Sequence, residues 1–476
     1  MSNPKLVWFR NDLRIRDHHA LYQAATEGLQ SGVIAVASIT PEQWLKQDEA
    51  KCKVQFWISC LRSLKEDLAT LNIPLLVVYA ANNQQLPEQL IDICRRYSVS
   101  DVFFNNEYPA YEQQRDLAVE QRLNAGGIRC HRFDSDLILA VGTVVNQQSE
   151  PYRVFTPFAR AWRQKYVQVM PDLLPAPQAV TPLAITGDPV PDGQGYGVSR
   201  GADWQATLWP AGSEAAHQRL ESFVERKVDL YPQQRDVPSA DSTSTLSPYL
   251  SVGAISARQC LAAMRCYSED PDWFENQWVT ELIWREFYRH LIVLYPEMNR
   301  WQPFKPEIEE RLSWEFDPVL FDAWCNGETG FPIVDAGMKQ LLETGWMHNR
   351  VRMITASFLT KLLRHDWRLG ARFFMQHLID GDFASNLGGW QWSASVGADA
   401  APYFRIFNPQ RQTERFDPQG RYIAEWLPAS AVGAKQAEIA GLASTQVRPG
   451  PIIDYSKQRQ ISLDLYQSSG VTVEPL

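Results

Sequence analysis

Over its first part this chain carries five strand candidates, most of them short apolar runs: Lys5–Phe9, Val33–Ile39, Leu75–Tyr79, Val102–Asn105 and Ile128–Phe133. Runs without polar alternation are the pattern of strands buried on both faces, as in a parallel sheet. Segments with helical spacing lie between them, at about 17–29, 50–71, 86–97 and 111–124. This alternation predicts an α/β domain over residues 1–135, a doubly wound parallel five-stranded sheet. Residues 136–200 read differently. The stretch MPDLLPAPQAVTPLAITGDPVPDGQGYG is rich in proline, glycine and small residues, and predicts a long connector over the surface. From 201 to 476 strand patterns vanish and a larger all-α domain is predicted. WFENQWVTELIWREFYRHLIVLY reads as one helix ending near Pro296. FPIVDAGMKQLLETG reads as another with Gly345 as its C-cap, and HNRVRMITASFLTKLLR follows.

Composition narrows the chemistry. The first strand runs into WFRNDLRIRD, with no G-x-G-x-x-G, so the usual pyrophosphate grip is missing there. Seven cysteines, none in a C-x-x-C pair, suggest free thiols in a reducing cytoplasm rather than zinc or disulfides. No signal peptide or apolar run of about 18 residues is visible. The net charge of −9 argues against bulk attraction to nucleic acid. Yet Arg350, Arg352, Lys361, Arg364, Arg368 and Arg372 crowd one stretch against Asp366 alone. That is either a local basic face for nucleic acid or a solvated helix face. Seventeen tryptophans exceed what packing alone asks for, and stacking surfaces would account for some of them.

Four places carry candidate chemistry. In TSTLSPYLSVGAIS, Ser247 before Pro248 reads as a helix N-cap, with Thr243, Ser244 and Thr245 beside it. That is either an anion site or an ordinary capped helix. On the helix from Trp273, the residues Trp278, Glu281, Trp284, Arg285 and Tyr288 share a face. The face could stack on planar rings, or hold a Glu281–Arg285 ion pair. Asn349, Arg352 and Met353 share another face, with Arg350 turned roughly 160° from Arg352. Finally, LIDGDFASN sets Asp380, Asp382 and Asn386 before GGWQWSASVGADAAPYFRIFNP, whose crowded rings and small residues suggest a pocket for something flat. No metal shell, nucleophile elbow or P-loop is spaced to form. His348 stands alone, which is more often structural.

Seven motifs, in this order, are together highly specific: LVWFRNDLRIRDHHAL, YRVFTPFARAW, LSPYLSVGAIS, ELIWREFYRH, GWMHNRVRM, DGDFASN and the stretch from Gly388 to Pro409. Through them the chain resembles the photolyase/cryptochrome flavoproteins over nearly its whole length, and among these the bacterial class I cyclobutane pyrimidine dimer photolyases. The resemblance implies one FAD in the helical domain. Tyr231 and Thr243, Ser244, Thr245, Leu246 and Ser247 match positions holding its phosphates and sugars. Trp278, Arg352, Asp380, Gly381, Asp382 and Asn386 match its flavin surround, with Asn386 near flavin N5. The catalytic set implied is Glu281, Trp284, Asn349, Met353 and Trp392, Asn349 beside the flavin and the others at the lesion. Trp390, Trp367 and Trp314 match an electron chain from flavin to surface; core packing is the alternative for the first two. Arg235, Arg285, Arg350 and Gln412 match DNA-contacting positions.

The activity implied is light-driven: excited reduced FAD lends an electron to the dimer in DNA, two inter-base bonds open, and the electron returns. Extruding bases costs a few kcal/mol, a general figure for base-flipping enzymes, this family among them, rather than one read from this chain. Two departures stand out. Thr245 replaces an arginine, so the phosphate grip is weaker or another cation substitutes. For the antenna, Glu112 matches the key carboxylate, but Gln47 replaces a histidine, Tyr111 an asparagine, and Asn299-Arg300 a Cys-Lys pair. 5,10-Methenyltetrahydrofolate is the expected antenna, with a deazaflavin or an empty site next. A monomer without membrane or protein partners is expected. The rivals are a cryptochrome-like blue-light sensor and a DNA-binding scaffold with a nucleotide pocket.

Overall fold

The computed structural model describes residues 3–193, 203–268, 270–310, 312–399, 405–427 and 450–468. Five parallel strands form one sheet: β1 (Lys5–Phe9), β2 (Val33–Ile39), β3 (Leu75–Tyr79), β4 (Asp101–Asn105) and β5 (Arg129–Phe133). Their order is β3-β2-β1-β4-β5, so strand order reverses beside β1. Between them run α1 (His19–Glu27), α2 (Pro41–Lys46), α3 (Lys51–Thr70), α4 (Leu86–Arg96) and α5 (Ala110–Ala125). Alternate residues Leu6, Trp8, Ile34, Val36, Val102 and Phe104 point to one face of the sheet. They pack there with Leu90 and Ile91 of α4 and Val119 and Leu123 of α5. α1 lies against β1 and β4. The expected strands and four helices all form; only α2 is new. Proline at its start, after Thr40, is the local signal for it.

The predicted connector is not all loop. A helix α6 (Phe155–Val169) forms inside it. Phe158, Ala159, Trp162 and Tyr166 recur at helical spacing and are buried. The Trp162 indole N–H donates to Glu286 at 2.9 Å. The proline-rich tail after residue 170 masked this periodicity. The last residues of that tail, 194–197, lie outside the described residues.

By contacts the chain divides into two units. One comprises 1–152, 157–227 and 244–294; the other comprises 153–156, 228–243 and 295–476. Two helix-bearing stretches, 157–227 and 244–294, therefore group with the sheet, a division different from the cuts at 135 and 200. The first unit's further helices include α7 (Ser213–Arg226), α8 (Ser247–Ser251), α9 (Ala257–Tyr267) and α10 (Gln277–Leu294). The expected single helix from Trp273 is broken at Asn276, whose side chain accepts from the Trp278 N–H at 2.8 Å; a 3₁₀ turn precedes it. The second unit contains α11 (Pro332–Thr344), α12 (Asn349–Ser357), α13 (Trp367–His377) and α14 (Phe383–Ser393). Gly345 ends α11 as expected, at φ 67°, where a side chain would be strained. No helix among the described residues is long and apolar enough to cross a membrane.

Candidate functional site

In the first unit, α10 presents the predicted stripe. Glu281, Trp284, Arg285 and Tyr288 are part-exposed, while Trp278, one turn earlier, is buried against Phe223 at 4.9 Å. Trp284 and Tyr288 lie 5.5 Å apart with their rings tilted. Glu281 accepts from the Gln277 amide at 3.0 Å. The Glu281–Arg285 pair does not form. Arg285 turns to Asp136, which also takes Arg289 at 2.6 Å. Two guanidiniums hold the Asp136 carboxyl well below the usual range against its burial. The sequence could not show this, because Asp136 stands 149 positions away.

The Thr–Ser stretch corrects another expectation. Ser247 is not the N-cap of α8: Leu246 takes that place, makes no side-chain cap, and the helix has five residues. Thr245 sits at φ 49°, a conformation that costs a β-branched residue about 1–3 kcal/mol. Its hydroxyl is held by Arg219 of α7 at 2.6 Å. Arg219 also donates to Leu208 O at 2.9 Å and lies over the Trp209 and Tyr249 rings. A cation thus stands beside Thr245. It comes from 26 residues upstream on another helix, so no local motif announced it. Thr243 belongs to the second unit's segment and Ser244 to the first unit's.

In the second unit, His348 caps α12: its Nδ1 accepts from the Arg350 N–H at 3.2 Å. Burial pushes its pKa down to about 4, with Arg352, Arg350 and Arg235 adding to the fall and Asp236 opposing it. The ring is therefore neutral, as the cap requires. Arg352 donates to Asp380 at 2.8 and 3.1 Å and to Met347 O at 2.7 Å. Arg350 turns elsewhere, to Asp236 at 2.6 Å, with Phe416 under its guanidinium. The two arginines do serve different surfaces. Asn349 is exposed, and Arg352 and Met353 are part-exposed. Tyr231 is buried beneath Arg235, whose guanidinium lies 5.5 Å from its ring centre.

Asp382 caps α14 by accepting from the Ser385 N–H at 2.8 Å, and Gly381 is buried in the turn before it. Asn386, one turn on, donates to Ala371 O at 2.9 Å. One turn further, a Cβ added at Gly389 would meet nothing within 4 Å. Asp382, Asn386 and Gly389 share one side of α14, with acceptors at one end and bare backbone at the other. Such a face can receive a planar ring with polar edges. Trp390 and Trp392 stand about 160° apart on α14. Trp390 is 2% exposed and packs on Phe374 and Trp324, whereas Trp392 is part-exposed. The aromatic run at residues 400–404 lies outside the described residues.

Most of the basic stretch is tied up in internal pairs, while Arg372 is exposed. Arg350 pairs with Asp236, Arg352 with Asp380, Arg364 with Glu315 and Arg368 with Glu309. Lys361 is buried, donates to Ser395 at 2.6 Å, and has its pKa lowered by burial. Their partners sit on other elements, which a local charge count cannot see. Gln412 is part-buried in the short helix Pro409–Phe416, its Oε1 without a hydrogen-bond partner.

A cleft opens in the first unit, lined by Arg10, Gln43, Trp44, Gln47, Trp57 and Glu112 among others. Arg10 follows β1 and Gln43 follows β2, at the carboxyl ends of the strands, where doubly wound sheets bind ligands. Glu112 accepts from Gln47 at 2.5 Å; its second oxygen is buried without a partner, as is the Gln43 amide nitrogen. Burial, with Glu107 nearby, pushes the Glu112 pKa up to about 7. Tyr111 does not line the cleft: it is 41% exposed, with Lys46 over its ring. Asn299 and Arg300 lie in a 3₁₀ turn of the second unit.

Two family profiles match: DNA photolyase over residues 5–178, and the FAD binding domain of DNA photolyase over residues 278–468. The chain is 43% identical to a deoxyribodipyrimidine photo-lyase of Salmonella typhimurium, covering 98% of each chain. A bacterial class III photolyase from Agrobacterium tumefaciens superposes with a TM-score of 0.85 at 30% identity, over 99% of this chain and 98% of that one. An archaeal photolyase from Sulfolobus tokodaii, described with two FAD molecules, superposes at 0.79 and 27% identity, over 97% and 99%. With both profiles in sequence order and full-length relatives at this identity, the chain belongs to the DNA photolyase family.

Proposed function

We propose that this chain is a light-dependent DNA repair enzyme, a deoxyribodipyrimidine photo-lyase that uses FAD to split cyclobutane pyrimidine dimers. Full-length kinship to the Salmonella enzyme, both halves included, carries this reading. When bound, FAD supplies the light-driven electron. The bare-backbone face at Gly389 beside Asp382 and Asn386 fits a flavin ring. Tyr231, Thr243, Ser244, Thr245, Leu246 and Ser247 would hold the cofactor, together with Trp278, Arg352, Asp380, Gly381, Asp382 and Asn386. Arg219 stands in for the missing arginine at its phosphates. The Arg352–Asp380 pair presets the polar edge and keeps a charged guanidinium from drifting.

The other side chains serve the lesion. Trp284 and Trp392, both part-exposed indoles, stack on the extruded bases. Glu281 hydrogen-bonds the dimer's polar edge, Met353 also serves the lesion, and Asn349 serves the flavin. Trp390, Trp367 and Trp314 relay electrons that keep the cofactor reduced. Arg235, Arg350 and Gln412 meet the DNA backbone; Arg285, committed to Asp136, is left out of that set. The cleft at Glu112 and Gln43 takes a second, light-gathering chromophore, with 5,10-methenyltetrahydrofolate the first candidate. The enzyme acts as a monomer in the cytoplasm.

The test is a count of dimers in irradiated DNA incubated with the FAD-loaded protein under blue light and in the dark. Loss in the light alone is expected. Unchanged dimers with flavin bound and reduced would overturn the repair reading in favour of a sensor.

A further inference from the structure

Glu309 makes an unusual set of contacts in the second unit. Its Oε1 accepts from the Trp367 indole N–H at 2.8 Å and from the Trp314 indole N–H at 3.4 Å. One carboxylate oxygen thus serves both outer members of the proposed tryptophan relay. Trp367 is fully buried and Trp314 part-exposed. Trp390 reaches α13 one turn from Trp367, since a Cβ on Gly370 would lie 2.1 Å from its ring.

A buried indole N–H needs only some acceptor, and a backbone carbonyl would do. A carboxylate adds a negative charge. Arg368 fixes it in place, donating to the two oxygens at 3.0 and 2.6 Å while its guanidinium lies 4.6 Å from the Trp367 ring centre. Arg368 also donates to Asp366 at 3.1 Å, so two carboxylates and one guanidinium surround this indole. The Glu309 side chain is 16% exposed, enough to exchange protons with water. An indole that has lost an electron is a far stronger acid than the neutral ring. A poised carboxylate at hydrogen-bond distance is what such a group needs.

We infer that Glu309 is the proton acceptor of the outer relay, holding both indoles in place and taking the N–H proton of whichever carries the hole. This rests on the relay reading above. When bound and oxidised, FAD would supply the light-driven acceptor for one electron from Trp390; Trp367 would then refill Trp390, and Trp314 would refill Trp367. The Nε1–H bond of the oxidised indole then breaks, its proton goes to Glu309 Oε1, and a neutral indolyl radical remains. The hole is now trapped away from the cofactor. An external thiol later supplies an electron, and the proton returns from Glu309 to the nitrogen.

Flash photolysis of the oxidised FAD-loaded protein tests this, because transient absorption separates the indole radical cation from the neutral radical. In the wild type the neutral radical forms at a rate independent of added buffer. In Glu309→Gln that rate falls by about 10²-fold, the scale of a positioned proton acceptor, and becomes buffer-dependent, while the radical cation still appears at the wild-type rate. Neutral-radical formation at the wild-type rate in Glu309→Gln, or buffer dependence in the wild type, would overturn the assignment. Trp367→Phe separates the two layers: it should abolish long-lived tryptophan radicals, and an undiminished yield would remove the relay itself.

Discussion

Single side chains set the pH behaviour of the first unit. The Glu112 carboxyl titrates near 7 in the folded chain because burial disfavours its charge. In the unfolded chain it ionises near 4.5. Below that value both states are protonated and nothing is lost. As pH rises toward 7 the unfolded state gains by ionising while the folded state does not, so stability falls and stays lower above 7. Glu112→Gln removes this loss. Urea unfolding at pH 5 and pH 8 should show the variant gaining about 2 kcal/mol on the wild type between the two, after allowance for the group's partial exposure. Parallel stabilities would show that the group ionises freely. At the lesion, Trp284→Ala and Trp392→Ala should each lose ~1–3 kcal/mol of dimer binding, roughly five- to 150-fold. Equilibrium binding to a dimer-bearing oligonucleotide measures this; unchanged affinity would remove the indole from the stacking set.

Elements position these residues, and α13 against α14 is the tightest case. Gly370 lets α14 approach: a Cβ there would fall 2.1 and 2.4 Å from Trp390 ring atoms and 2.6 Å from Leu359. Gly370→Ala should cost about 1–3 kcal/mol of stability through overpacking and slow light-driven FAD reduction by shifting Trp390. A variant with wild-type stability and reduction rate would mean the helices have slack. Elements were also where the sequence read best. Strands buried on both faces leave unbroken apolar runs, and β1 to β4 followed from those; β5, the part-exposed edge strand RCHRF, is mixed in polarity. Gly345 announced the end of α11 because a left-handed C-cap favours glycine. The hydroxyl before Pro248 misled, because Leu246 and the strained Thr245 take up the turn instead. α6 was hidden by the prolines that follow it. Residue spacing correctly split Arg350 from Arg352, but their partners Asp236 and Asp380 are fixed by tertiary packing. Arg219 and Glu309 belong to that same illegible class, each acting on a residue of another element, and Gln43 meets the other cleft residues only through the fold.

For the whole molecule, a net charge of −9 rules out bulk attraction as the source of DNA binding. Recognition must come from few phosphate contacts and an extruded lesion. Arg350→Ala should weaken binding to dimer-containing and intact DNA alike and reduce the salt slope by about one. A change confined to dimer-containing DNA would place Arg350 at the lesion. The central claim is that light moves one electron out to a dimer and back, so the cofactor ends as it began. The most direct measurement follows FAD absorption and dimer content together, in reduced protein bound to a dimer-bearing oligothymidylate, through a series of single blue flashes. The account predicts that dimers vanish flash by flash while the cofactor spectrum after each flash matches the one before. Dimers that persist, or one oxidising equivalent left on the cofactor for each dimer lost, would contradict it.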